Sequence, residues 1–222
     1  MNDKYSVQGF EISTCSAAVI GCGGLGTNVA VHLAGSGIGK LLLWDFDAVE
    51  QRNLNRQFMY TAEDIGKAKS LVLKNKMKDY APECAVESVC VKIETFAQLF
   101  SATEFDIVIL AVDNIACRKI VSAFCEQRGI PYINGSINGF YGTAYLCLPG
   151  KTPPLSAAGG LEEVSGKQLS PSMSAGIIGA LEAKLAVDYF LGNTRSAGKL
   201  FCYDGETIQE LAIKESDSVD QL

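Results

Sequence analysis

The chain has 222 residues, 48% of them hydrophobic and 20% charged, enough apolar material for a sizeable core in what reads most simply as one domain. A net charge of -6 excludes a nucleic-acid surface, which needs clustered Lys and Arg. None of the eight cysteines forms a C-x-x-C pair, so no zinc site is signalled. With no secretory signal and no apolar run of bilayer length, the expectation is a soluble cytoplasmic protein without a membrane partner, its cysteines reduced.

Residues 1–16 read as a short N-terminal arm. Ala17–Ile20 is a buried strand by its small and β-branched run, and Gly24–Ser36 is the helix that follows. Gly37 and Gly39 punctuate a turn into a second strand, Lys40–Asp45. Glu63–Tyr80 reads as a helix with Ile65, Ala68 and Val72 on one face, and Val86–Ile93 as a strand. Asp106–Val112 is nearly continuous in apolar residues, as a parallel strand covered on both faces should be. Ala116, Ile120, Ala123 and Phe124 stripe the next helix, and Pro131–Asn134 starts another strand.

This alternation predicts an α/β fold with a Rossmann-like, doubly wound, mostly parallel sheet through about residue 135. The pattern then changes. Gly139–Leu148, Lys199–Tyr203 and Thr207–Ile213 look like antiparallel strands added at the C-terminal side, the last two joined through Asp204-Gly205. Between them Pro149–Ser172 is rich in Pro, Gly and Ser and reads as a long mobile loop. It leads into a helix carrying Ile178, Leu181, Leu185 and Tyr189. The body is thus expected over 17–214, with a solvated tail over 215–222.

The chemistry sits at the predicted strand ends. Gly21, Gly23 and Gly26 form a G-x-G-x-x-G turn between strand and helix, where the backbone can approach phosphate and the helix N-terminus offers N–H donors. Asp45 follows about twenty residues later, the usual distance for an acid on ribose hydroxyls. Asn53, Arg56 and Gln57 leave the second strand in a loop or short helix. A planar guanidinium there suits a phosphate, which moves the expectation from a dinucleotide toward ATP. Arg52 beside it reads either as a second phosphate cation or as solvated. Lys69 stands out among Lys67, Lys74, Lys76 and Lys78 by its offset from Asn53–Gln57, and the other four read as solvated charge. For Asp113 and Asn114, at the end of the most apolar strand, two readings stand: a Mg²⁺ carboxylate beside a triphosphate, or the cap of the next helix. His32, the only histidine, falls inside the first helix and reads as structural.

Together these residues resemble the ThiF/MoeB/HesA family, relatives of the ubiquitin-activating enzymes. The resemblance spans about Ala17 to Ile213. It rests on Gly21-Cys22-Gly23-Gly24-Leu25-Gly26, Asp45-Phe46-Asp47, Asn53-Leu54-Asn55-Arg56-Gln57, Ile65-Gly66-Lys67-Ala68-Lys69 and Asp113-Asn114. Gly198-Lys199-Leu200 and Tyr203-Asp204-Gly205 also fit. It implies ATP-dependent adenylation of the C-terminal glycine of a small β-grasp, ubiquitin-like sulfur carrier ending in Gly-Gly, such as ThiS or MoaD, in thiamine or molybdopterin biosynthesis.

By the same resemblance Gly24 lies at the phosphates and Asp45 at the ribose. Asn53, Arg56 and Lys69 grip the triphosphate, Asp113 holds Mg²⁺, and Asp47, Gln57 and Asn114 join the nucleotide site. It further implies a homodimer. Three departures stand out. The paired C-x-x-C zinc ligands of many relatives are missing, Pro149–Ser172 has no cysteine for a thioester, and Met1–Ser16 has no arginine. An adenylating enzyme acting on a peptide shares all these features. An NAD(P)-dependent oxidoreductase would use Gly21–Gly26 and Asp45 but leave Arg56, Lys69 and Asp113 without a task. A non-catalytic partner subunit would fit the three departures.

Overall fold

The structure is a computed structural model and describes residues 12–159, 161 and 170–213. In chain order the strands and α-helices are β1 (Ser16–Ile20), α1 (Gly24–Gly35), β2 (Lys40–Trp44), α2 (Lys69–Tyr80), β3 (Ala85–Val89), β4 (Ile107–Leu110), α3 (Ile115–Arg128), β5 (Tyr132–Asn138), β6 (Tyr141–Cys147), α4 (Ser172–Phe190), β7 (Lys199–Tyr203) and β8 (Ile208–Ala212). They build one sheet of eight strands in the order β3-β2-β1-β4-β5-β6-β7-β8. The first five strands run parallel, and β6, β7 and β8 add on antiparallel, as the change of pattern after residue 135 predicts.

Both faces of the central strands are covered, which is why their sequences are continuously apolar. Ala17 and Val19 of β1 face one core with Ile107 and Ile109 of β4. Leu25, Val29 and Leu33 of α1, Leu73 and Met77 of α2, and Ile178 and Leu185 of α4 close it. Ala18, Ile20, Val108 and Leu110 face the other, closed by Val121, Phe124 and Cys125 of α3. The helices after β1 and β4 therefore leave toward opposite faces, and a crevice opens at the carboxyl ends of those neighbouring strands. That is where ligands bind in open α/β sheets.

Four expectations are corrected. The second helix begins at Lys69 rather than Glu63, because Gly66 adopts a φ of +85° and Ala68 bridges back to Ala48 in strand-like fashion. Ala62–Asp64 is only a 3₁₀ turn, Ile65 is exposed, and Val72 alone of the expected face is buried. On α3 the buried stripe is Arg118, Val121, Ser122, Phe124 and Cys125, while Ala116 is exposed. Arg118 is buried with this stripe and bonded to backbone carbonyls. β3 is shorter than expected and stops at Val89. Phe96–Glu104, unassigned in the sequence, forms a 3₁₀ segment that buries Leu99 and Ala102 and sets Phe96 edge-on to Phe124.

The segment after β6 is anchored at its start. Tyr145 Oη donates to the Pro153 carbonyl at 2.6 Å, and Leu155 is buried in the second core. Residues 1–11 of the arm, most of the expected loop beyond Gly159, and residues 214–222 lie outside the described residues. Among the described residues no helix is long and apolar enough to cross a membrane.

Candidate functional site

The site is built on the turn between β1 and α1. Gly21 takes a φ of +99° and donates its N–H to the Trp44 carbonyl at 2.7 Å, tying the turn to the end of β2. A Cβ at Gly26 would fall 1.8 Å from the Gly21 carbonyl oxygen, so only glycine lets α1 sit directly on the turn. α1 starts at Gly24 with no side-chain cap and no acid in its first turn. Its leading N–H groups and dipole are thus available to an anion.

Asp45 lies just beyond β2 and braces this turn. Its Oδ2 accepts the Cys22 N–H at 2.7 Å and its Oδ1 accepts the Asp47 N–H at 2.7 Å. Burial pushes the Asp45 carboxyl up from its ordinary range, opposed by the Cys22 N–H and the Lys69 charge. Asp47 then holds Lys69, the first residue of α2. Lys69 Nζ stands 3.0 Å from Asp47 Oδ2, and its N–H donates to the Asp47 carbonyl at 2.9 Å. Lys69 is 6% exposed, unlike a solvated lysine. Lys67 and Lys76, expected to be simply solvated, both pair with Asp64.

Gln51–Asn53 forms a 3₁₀ turn in which Asn53 Oδ1 accepts the Glu50 N–H at 3.1 Å. The Asn53 carbonyl accepts N–H bonds from Arg56 and Gln57, and this fold-back lays both side chains over the glycine turn. Arg56 Cγ and Cδ lie 3.6 Å from where a Cβ of Gly24 would stand, and Gln57 Nε2 lies 3.6 Å from that of Gly23. Arg56 Nη1 donates to Arg52 O at 3.3 Å and Asn55 Oδ1 at 3.1 Å. Arg52 itself is on the surface, paired with Glu50.

On the other side of the crevice Asp113 is exposed beyond β4. Asn114 caps α3, its Oδ1 accepting the Cys117 N–H at 3.0 Å, which realises the capping alternative for that residue. The glycine turn, Asp45, Asp47, Asn53, Arg56, Gln57, Lys69 and Asp113 all lie on or just beyond the carboxyl ends of β1, β2 and β4, neighbours in the sheet. His32 sits exposed near the far end of α1.

Sequence reasoning missed the residues that hold this arrangement together. Tyr60 Oη donates to the Cys22 carbonyl at 2.8 Å, and Ser70 Oγ to the Asp45 carbonyl at 3.0 Å. Burial pushes the Tyr60 phenol up, so it stays a donor. Arg118 donates to the Val112 carbonyl beyond β4 and the Gly135 carbonyl within β5. Its only signal in the sequence is a charge inside an apolar helical stripe.

The family model described as ThiF family matches residues 8–220. The sulfur carrier protein adenylyltransferase of Thermus thermophilus is 31% identical over 210 residues, covering 87% of this chain and 76% of that protein. The sulfur carrier protein ThiS adenylyltransferase of Escherichia coli is 32% identical over 206 residues, covering 86% and 78%. Among solved structures, E. coli MccB with ATP superposes with a TM-score of 0.83 at 25% identity, covering 93% of this chain and 66% of that one. The chain belongs to the ThiF family and is an adenylyltransferase.

Proposed function

We propose that this chain uses ATP to adenylate the C-terminal glycine carboxylate of a small, ubiquitin-like sulfur carrier protein of the ThiS or MoaD kind, and releases pyrophosphate. The observation that carries this reading is Arg56 lying across Gly24, at the uncapped N-terminus of α1. A cation folded over a helix N-terminus is an arrangement for a polyphosphate. The relatives named for sulfur carriers support the identity of the acceptor.

In this reading Gly21, Gly23, Gly24 and Gly26 admit the phosphates, Asp45 faces the ribose, and Asn53, Gln57 and Asn114 line the nucleotide. A carrier carboxylate oxygen attacks the α-phosphorus, the bond to the bridging oxygen breaks, and the electron pair leaves with pyrophosphate. The carboxylate is already ionised at neutral pH, so no general base is needed. Arg56 and Lys69 neutralise charge growing on the leaving group, and Asp47 keeps Lys69 oriented. Preorganised contacts of this kind are worth about 3 kcal/mol each, roughly a hundredfold in rate.

Asp113 would hold Mg²⁺, which would supply further charge neutralisation at the phosphates. Among the described residues no group of three or more His, Cys, Asp or Glu side chains could hold a metal ion. Mg²⁺ takes one or two protein carboxylates and draws its other ligands from substrate phosphates and water. The body over 17–214 acts as one adenylation domain in this reading, as a homodimer in the cytoplasm, and without a thioester on the loop over 149–172.

ATP–pyrophosphate exchange with purified ThiS-type and MoaD-type carriers, each intact and lacking its last glycine, tests the proposal. Exchange that requires the intact tail is expected with one of them. ATP binding without exchange on either carrier would assign the site to another carboxyl donor, a peptide among them. Binding of NADH in place of ATP would overturn the reading altogether.

A further inference from the structure

The most heavily buried charges outside the site just described are Arg118 on α3 and Glu182 on α4, 6% and 0% exposed. The Arg118 guanidinium donates to backbone carbonyls through Nε and Nη2. Nε and Nη2 donate to the Val112 carbonyl at 2.9 and 2.7 Å, and Nη2 also reaches the Gly135 carbonyl at 3.1 Å. Val112 lies just beyond the carboxyl end of β4, and Gly135 lies in the middle of the neighbouring strand β5, one residue past its last pairing with β4.

Val112 immediately precedes Asp113. The Arg118 N–H donates in turn to the Asn114 carbonyl at 3.0 Å. A closed ring results: Val112, Asp113 and Asn114, the first turn of α3, and the Arg118 side chain back to Val112. Asp113 is held inside that ring on both sides. We propose that Arg118 is a positioning residue for Asp113, fixing the backbone on either side of it so that its carboxylate stands where Mg²⁺–nucleotide can meet it. This rests on the reading of Asp113 as the Mg²⁺ carboxylate.

Burying a guanidinium is costly, and joining the segment after β4 to β5 does not by itself require one. Its planar fork does what an ammonium cannot, placing several donors in fixed directions on two carbonyls at once. Glu182 is the acidic group whose charge most favours the Arg118 guanidinium. Its carboxyl packs against Gly135, where a Cβ would fall 2.2 Å from Glu182 Cδ, and neither oxygen has a hydrogen-bond partner among the described residues. Burial pushes Arg118 down and Glu182 up, and the attraction between the two opposes both shifts. Asp113 is another acidic group whose charge acts on this guanidinium.

Calorimetric titration of the full chain with ATP, in the presence of Mg²⁺ and with the divalent ion chelated, tests the assignment. Arg118→Lys should bind ATP without Mg²⁺ within about twofold of the unsubstituted chain, while the gain in affinity from Mg²⁺ falls at least tenfold. Glu182→Gln leaves the bonds of Arg118 to Val112 and Gly135 in place and should keep that gain within about threefold. If Arg118→Lys does not fold, Arg118→Met combined with Glu182→Gln removes both buried ionisable groups and should show the same selective loss.

A purely structural Arg118 would lower the melting temperature and weaken both affinities together, which would overturn the assignment, as would a Mg²⁺ gain retained within twofold. Absence of ATP binding by the unsubstituted chain would instead overturn the functional reading, and this one with it.

Discussion

Lys69 and Asp47 are joined twice. The Lys69 ammonium lies 3.0 Å from Asp47 Oδ2, and the Lys69 N–H donates to the Asp47 carbonyl at 2.9 Å. Asp47 is in turn bonded through its own N–H to Asp45, whose other oxygen accepts from Cys22 in the glycine turn. One continuous chain of hydrogen bonds therefore leads from the start of α2 to the start of α1. The two residues should differ sharply on substitution. Lys69→Ala removes the cation, and ATP–pyrophosphate exchange should drop by about a hundredfold or more. Asp47→Asn keeps an acceptor for Lys69 and loses only the orienting charge, with an expected drop of about tenfold. Equal losses in the exchange assay would mean that the pair acts only as a structural tie.

Arg56 is the side chain whose removal should separate activity from stability most cleanly. It is half-buried, its aliphatic stem rests on α1, and among the described residues its guanidinium bonds locally, to Arg52 O and Asn55 Oδ1. Arg56→Ala should reduce exchange by more than about a hundredfold while shifting the melting temperature little. Turnover within about tenfold of the unsubstituted enzyme would remove the triphosphate role from this residue.

The parts of the molecule legible in its sequence are those fixed by neighbours in the chain. The strand Ser16–Ile20, its glycine turn and α1 follow from an apolar run meeting G-x-G-x-x-G, and Lys199–Tyr203 is a strand with the bounds its composition predicts. Asp45 is singled out by its distance from that turn, Arg56 by the Asn53–Gln57 segment and Lys69 by its offset from that segment, and all three lie beyond the carboxyl ends of the central strands. What was hidden depends on partners distant in sequence. The true start of α2 is set by Gly66 and by a bridge from Ala68 to Ala48, neither visible in helical periodicity. Arg118 and Tyr60 take their places only when the Val112 and Gly135 carbonyls, and the Cys22 carbonyl, are brought to them from distant parts of the chain. Glu182 falls in a buried helical position only because a glycine in β5 leaves room for it.

Two glycines two residues apart should respond in opposite ways. At Gly26 a methyl group would collide with the Gly21 backbone at 1.8 Å, so Gly26→Ala must separate α1 from the turn. Overpacking of this kind costs about 1–3 kcal/mol or more, and the variant should melt several degrees lower or fail to accumulate. At Gly24 the nearest atoms are Ala175 Cβ at 3.2 Å, which needs only a few tenths of an ångström of give from α4, and the flexible Arg56 stem at 3.6 Å. Gly24→Ala should therefore fold normally but bind ATP more weakly, as calorimetry can read, because the added methyl group crowds the phosphates and displaces Arg56.

Acid should weaken the α2 side of the site through Asp64. Burial disfavours its ionised form, yet Lys76 and the Thr61 N–H and hydroxyl outweigh that and hold its carboxyl at about 2, below the ordinary 3.8. A folded-state value depressed below the unfolded one means that ionised Asp64 stabilises the folded chain fully above about pH 4, with the contribution lost as pH falls toward 2. Asp64→Asn should thus lower the melting temperature at pH 7, and the gap from the unsubstituted chain should narrow steadily between pH 4 and pH 2. Lys76→Met should reproduce part of the pH 7 loss, since it removes the ammonium but leaves the Thr61 bonds. A gap that stays constant across that acid range would show that Asp64 acts through its shape and hydrogen bonds rather than its charge.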